Sequence, residues 1–213
     1  GLVLQVGCVD LPRSVERRMD DWRRYAHNQD YAWFTRDEGA SIVPSQVSEN
    51  DSYLPPKRVW QRLVRYHLLD IVRGETPPWS EEAVDGSSVR LTPTRIDGDR
   101  IEVRLSGNVV LQEEGDWCSQ PPSYAPYRRG EMCCRMIERG FEAQLLGYLS
   151  FDRKEERFDQ FDVLAVGTRW GGTTYNARLD DTDRAPLGIA LTLAGSEERD
   201  RTPPHANPST YFA

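Results

Sequence analysis

The residues able to do chemistry cluster most densely in Arg169-Trp170-Gly171-Gly172-Thr173-Thr174-Tyr175-Asn176. A cation, an indole, hydroxyls and an amide follow two flexible glycines there, as in a loop that closes over a ligand. Arg169, Trp170, Tyr175 and Asn176 are its candidate ligand-binding residues. The preferred reading is that Trp170 plugs the open end of a sheet while the glycines make turns. Asp180, Asp181 and Asp183 lie just downstream. Oxygen-rich loops can hold calcium, but the EF-hand spacing is absent, so a solvated acidic loop is expected. His67 falls on the apolar side of a helical stretch, and His27 and His205 are far from it in sequence. A hydrogen-bonded core histidine is the expectation. No Cys-x2-Cys, His-x3-His, G-x-S-x-G or phosphate-loop pattern occurs. The sequence therefore names no catalytic residue, no metal ligand and no cofactor.

The four cysteines are Cys8, Cys118, Cys133 and Cys134. Three pairings are open. A disulfide between Cys118 and either Cys133 or Cys134 would clip a long insertion, worth about 3 kcal/mol for a loop of about 15 residues. The alternative is four unlinked thiols. The vicinal pair Cys133-Cys134 lacks the C-x-x-C spacing of thioredoxin-type redox sites. The stretch 113–138 also carries Trp117, Tyr124, Tyr127, Arg128, Arg129 and Met132. These residue types are enriched at interface hot spots, so they are the candidate interface.

The elements that must position these groups centre on 139–169. Phe141, Ala143, Leu145, Gly147, Leu149 and Phe151 alternate with Gln144, Leu146, Tyr148 and Ser150, the period of a strand. Six charged residues, 152–157, break the run before Phe158, Phe161 and Val163–Val166 resume it. This reads as a hairpin. Its second strand is apolar on both faces, which predicts a central strand covered on each side. Strands are also expected at 88–94, 100–112 and 187–193. A helix over 56–73 follows Pro55-Pro56 and stops at Gly74. Trp60, Leu63, Val64, His67, Leu68 and Ile71 form its buried face, with Arg58, Arg62 and Arg65 in water. A second helix is expected from Ser14 to about His27. Residues 28–54 read as a connection anchored by Tyr31, Trp33, Phe34, Ile42 and Val43.

These elements predict an α+β fold. A curved antiparallel sheet of about five strands carries the 56–73 helix on one face. The chain divides into an N-terminal helical and extended segment, 1–54, and a helix-plus-sheet domain, 55–213. With 213 residues, 38% hydrophobic and 29% charged, it can build a sizeable core. The net charge of −7 argues against nucleic acid as a partner. Arg makes up 25 of the 27 basic residues, a general bias rather than a site. No apolar run is long enough to span a membrane. GLVLQVGC reads as an exposed strand or as what signal-peptide processing leaves, although no basic n-region with a full apolar core is visible.

RLVRYHLLDIVRGETPPW, FEAQLLGYLSFDRKEERFDQFDVLAVGTRWGGTTYNAR and APLGIALTLA together resemble a pattern of uncharacterised secreted bacterial proteins. The resemblance spans about residues 55–194. It implies an extracytoplasmic (secreted or periplasmic) location and hence disulfides, and it supplies no activity. The expected function is non-enzymatic association with a protein partner, as an accessory or structural subunit. The alternative is a hydrolase-like enzyme or small-ligand-binding β protein with a cleft near Trp170.

Overall fold

Alternating apolar residues build most of this molecule. Its computed structural model describes residues 1–13, 25–84, 88–118, 134–173, 175–178 and 181–212, with the backbone alone at 116–118 and 134–136. In chain order the elements are β1 (Leu2–Asp10), β2 (His27–Phe34), α1 (Arg36–Ala40), α2 (Lys57–His67), β3 (Ser88–Asp97), β4 (Arg100–Cys118), β5 (Cys134–Asp152), β6 (Arg157–Trp170), β7 (Ala185–Leu193) and α3 (Pro208–Tyr211). The strands form one seven-stranded sheet in the order β2-β1-β7-β6-β5-β4-β3, every pair antiparallel. Among the described residues, no helix is long and apolar enough to cross a membrane.

The expected α+β class is therefore corrected. Seven strands rather than about five carry the fold, and α1, α2 and α3 span only 5, 11 and 4 residues. The protein is mainly antiparallel β, and among the described residues no helical layer covers one face. The two strands beyond the expected five are β1, for which the sequence allows an exposed strand as one of two readings, and β2, which reads there as connection. β1 lies between β2 and β7, with Leu2, Leu4, Val6 and Cys8 buried at every second position. It is an interior strand of the sheet that also contains β3 to β7. β2 contributes Ala32 and Phe34 to the same core. The helix expected from Ser14 falls largely outside the described residues, and His27 opens β2.

The central hairpin is as the alternation predicts. Phe141 to Phe151 pair with Arg169 to Phe158, and β4 continues the sheet on the far side of β5. Gly147 makes room for the crossing Val163 side chain, into which a Cβ at 147 would run. The register slips between Ser150 and Phe151, which lets both Phe158 and Phe161 face inward. The cover expected on both sides of β6 is absent. Phe161, Val163 and Ala165 are buried, while Leu164 and Val166 are 56% and 48% exposed. The expected insertion 113–138 is shorter than its sequence suggested, because β4 runs to Cys118 and β5 starts at Cys134.

The chain itself engages both edges of the sheet, β3 at several ladder groups and β2 at one. On β3, Asn50 N donates to Pro93 O, Tyr53 exchanges backbone bonds with Leu91, and Glu49 accepts from Ile96 N. On β2, Trp33 N donates to the Tyr211 hydroxyl at 3.0 Å. These contacts occupy ladder groups that would otherwise template another strand.

α2 ends at His67, six residues before the expected 73. The carbonyls beyond it bond elsewhere: Leu68 O accepts from Trp79 Nε1, Asp70 O from Thr76 and Ile71 O from Asn28. Leu63, Val64 and Leu68 enter the core as expected. Arg62 does not face water. It is 5% exposed, pairs with Glu38 at 2.8 Å and lies over the rings of Phe34, Tyr211 and Phe212. Glu38 also closes the capping box of α1 with Thr35.

Leu63→Ala is expected to cost about 2–5 kcal/mol as a core truncation. Arg62→Ala is expected to cost about 3 kcal/mol, because it strands a half-buried Glu38 and opens an aromatic socket. Urea melts of both variants check this. An Arg62→Ala loss under about 0.5 kcal/mol would show a solvated side chain.

Candidate functional site

The loop after β6 does not assemble as one site. Arg169, 1% exposed, turns inward, where Nη2 meets Asp181 Oδ2 at 2.6 Å and Nη1 donates to the carbonyls of Asp181 and Asp183. Trp170 Nε1 donates to Glu138 Oε1 at 2.7 Å. Its ring takes the space a Cβ at Gly140 would need, and the Arg184 guanidinium lies 3.9 Å from its centre. Asn176 is buried and accepts from Thr173 N. Tyr175 alone is exposed. The space beside Trp170, bounded by Asp70, Trp79, Arg139 and Arg169, is about 20 Å³. That holds about one water.

Arg169 belongs to a buried ion network. Arg178, fully buried, makes two two-pronged contacts: Nη2 and Nη1 to Asp10 at 2.8 Å each, and Nε and Nη2 to Asp70 at 2.7 and 2.9 Å. Arg73 reaches Asp10 at 3.0 Å and Asp181 at 3.1 Å. Arg13 grips both oxygens of Asp181 at 2.7 and 2.8 Å. Asp181 is thus a buried carboxylate among guanidiniums, not the solvated loop acid expected. Burial would raise the carboxyls of Asp10 and Asp181, but the arginines outweigh it and hold both below the ordinary aspartate range. Burial and the neighbouring Arg178 pull Arg169 down, while Arg178 itself is pushed up by its carboxylate bonds despite burial. Carboxylates held ionised this firmly are poor proton donors near neutral pH. The network joins the end of β1, the turn after α2, the end of β6 and the loop before β7.

A second polar chain holds the C-terminal tail. His67 Nδ1 lies 3.2 Å from Asp30 Oδ2, and Nε2 lies 2.8 Å from the Tyr211 hydroxyl. His67 is the bonded core histidine expected. Burial alone would raise Asp30, but the His67 ring and the backbone N–H groups of His205 and Tyr31 hold it below its ordinary value. Burial pushes the Tyr211 phenol up. Tyr211 is 1% exposed, so this chain secures the tail rather than meeting a substrate. Beside it opens a cavity of about 260 Å³, lined by Asp30, Tyr66, Ile71, Glu75, Tyr175 and His205 among others. Gly74, at φ +154°, lets the Tyr175 carbonyl pack against it where a Cβ would collide.

The third feature is the outer face of the sheet. Leu146 and Leu164 pair across β5 and β6, and Leu164 continues to Ala190 of β7 and Gly7 of β1. The flanking row runs from Val166 through Gly188 to Val9. Leu146, Tyr148, Leu164, Val166 and Val9 are each between 43% and 56% exposed.

Of the remaining residues singled out in the sequence, Cys8 is a buried free thiol, bonded to Leu69 O and raised by burial. The backbones of Cys118 and Cys134 are register partners. Their side chains, with Trp117, Tyr124, Tyr127, Arg128, Arg129, Met132 and Cys133, lie outside the described residues. Asp180 does too. Among the described residues, no group of three or more His, Cys, Asp or Glu is placed to hold a metal ion. The ion network was missed because Asp10, Asp70 and Arg178 lie far apart in sequence. One signal was present: Asp70 and Arg73 interrupt the apolar run LLDIVRG. No family model, curated protein or solved structure matches the chain.

Arg178→Met is expected to destabilise by about 3–5 kcal/mol, since it leaves Asp10 and Asp70 without their main partner. The sign of the pH effect follows from the lowered carboxyls. Their stabilisation is complete above the unfolded aspartate value of about 3.9 and is lost as pH falls toward the folded values. Urea midpoints should therefore drop below about pH 4 in wild type and less steeply in Asp181→Asn.

Proposed function

We propose that the protein works by association with a protein partner, not by catalysis, and that the docking surface is the outer face of β5, β6, β7 and β1. The exposed row Leu146–Leu164–Ala190 with Tyr148, Val166 and Val9 carries this reading. Contiguous apolar surface on a folded chain marks an interaction site. The β3 edge is engaged by Tyr53, Asn50 and Glu49 and the β2 edge at Trp33 N by Tyr211, which favours the face over strand addition at β3. The partner that fits is an apolar protein surface with a mixed-charge rim. Arg104 and Asp162, in the row of Tyr148, and Glu142, between Val110 and Thr168, supply both signs. An extracytoplasmic location belongs to this proposal and rests on the family resemblance and the cysteines clustered beside one loop. The rival reading, a ligand cleft at Trp170, has about 20 Å³ to work with.

Leu146→Asp/Leu164→Asp is expected to abolish complexes seen by native mass spectrometry and pull-down from the source. Its urea midpoint should fall only slightly, since neither side chain is buried and two aspartates facing each other across β5 and β6 cost about 1 kcal/mol or less. Tyr127→Ala/Arg128→Ala provides the second arm. If only that variant loses the partner, docking is through 119–133; if both variants keep every partner, association is not the function.

A further inference from the structure

The cavity of about 260 Å³ lies on the opposite side of the sheet from the apolar row. Asp30 pairs with Val6, whose side chain is buried, so by strand alternation it belongs to the core side. Four chain segments wall the cavity: β2 with Asp30, the stretch from Tyr66 to Ile71, the 75–78 loop with Tyr175 beside it, and the tail at 205–207. The space is smaller than the roughly 300–1,000 Å³ of sites for drug-sized ligands, which sets the scale of any occupant.

Its charge is one-sided. Asp30 and Glu75 line it, and among the described residues no Arg or Lys does. Both acids are held in place by one residue of the tail. His205 N donates to Asp30 Oδ1 at 2.9 Å, and His205 Nε2 sits 2.8 Å from Glu75 Oε1. The second oxygen of Asp30 faces His67. Asp30 is thus fixed on both oxygens before any ligand arrives, which lowers the ordering cost of binding there, while Glu75 is exposed and held by one contact. The remaining wall is largely apolar, from Leu69, Ile71, Pro77 and Pro78. The exposed Tyr175 ring borders it and can lie against a cation.

We propose that this cavity binds a small organic cation, an alkylammonium or alkylguanidinium, with its charge between Asp30 and Glu75 and its alkyl part against Leu69, Ile71 and Pro77. An anion would meet two carboxylates, and a neutral alcohol would gain no charge attraction beyond the bonds that His205 and His67 already make to them. A compact metal ion would make no use of the apolar wall. A cation with a short alkyl chain satisfies both parts of the lining.

The test is calorimetric titration of the full chain at low salt with n-butylammonium and n-butylguanidinium. n-Butanol and butyrate serve as neutral and anionic probes of matched size. At least one cation is expected to bind about tenfold or more tighter than either control. Glu75→Gln, at an exposed position that should leave folding intact, is expected to weaken that cation about tenfold. Tyr175→Ala should weaken it less. Equal binding of butyrate, an unchanged affinity in Glu75→Gln, or no heat with either cation at about 10 mM would overturn the proposal. The outer-face variant Leu146→Asp/Leu164→Asp should keep cation binding, and Glu75→Gln should keep the protein partner, so the two proposals fail separately.

Discussion

Burial of Arg178 is the constraint on which much of the remaining structure depends. A guanidinium with no exposure must have its donors met inside the protein, or its desolvation would be ruinous. Asp10 and Asp70 meet four of them, and they come from places far apart in the chain. Asp10 sits where β1 ends, so the network pins that strand beside β7. Asp70 sits just past α2, so the turn that replaces the last helical turns brings its carboxylate to Arg178. Arg169 and Asp181 then tie in the end of β6 and the loop before β7. A network of four guanidiniums and three carboxylates contributes less to net stability than to uniqueness, because only one packing satisfies every member.

The sheet divides the molecule into an inner and an outer side with different tasks. The inner side is filled by Leu4, Leu91, Ile101, Leu111, Leu187, Ile189 and Leu191, with the short α2 adding Leu63 and Val64. The outer side keeps Leu146, Leu164 and Val166 in contact with solvent. The edges are engaged by the segment at 49–53 and by the tail docked through Tyr211. A chain that occupies ladder groups along β3 while leaving apolar side chains on a face has restricted strand addition at that edge more than face-to-face docking.

The tail serves two structural ends. Tyr211 accepts from Trp33 N at the β2 edge and meets His67, and its ring shares Arg62 with Phe34 and Phe212. A few residues earlier, His205 fixes Asp30 and Glu75 and so shapes one wall of the cavity. The bond to Trp33 N at the β2 edge and cavity formation therefore both depend on the docking of residues 205–212.

The sequence by itself determined the strands from β3 to β7, the hairpin at the centre of the sheet, the core role of Leu63 and the bonded state of His67. Each rests on period, turn chemistry or a local neighbourhood within about ten residues, which a linear reading can see. β1 was visible only as one of two readings of GLVLQVGC, and β2 was hidden in HNQDYAWF. Its first four residues are all polar, and Tyr31, Ala32 and Phe34 are buried together rather than in strict alternation. Tertiary structure alone decided the mainly β class, the early end of α2, the burial of Arg62 and the fate of Arg169 and Asp181. In each case the deciding partner is distant: Trp79 for Leu68 O, Glu38 and Tyr211 for Arg62, Asp181 for Arg169, and Asp10 and Asp70 for Arg178. Charge reads as solvated in a sequence because water is the default partner. Only the fold can put another charge within 3 Å, and that is why the buried network and the cavity beside Asp30 had to come from the structure.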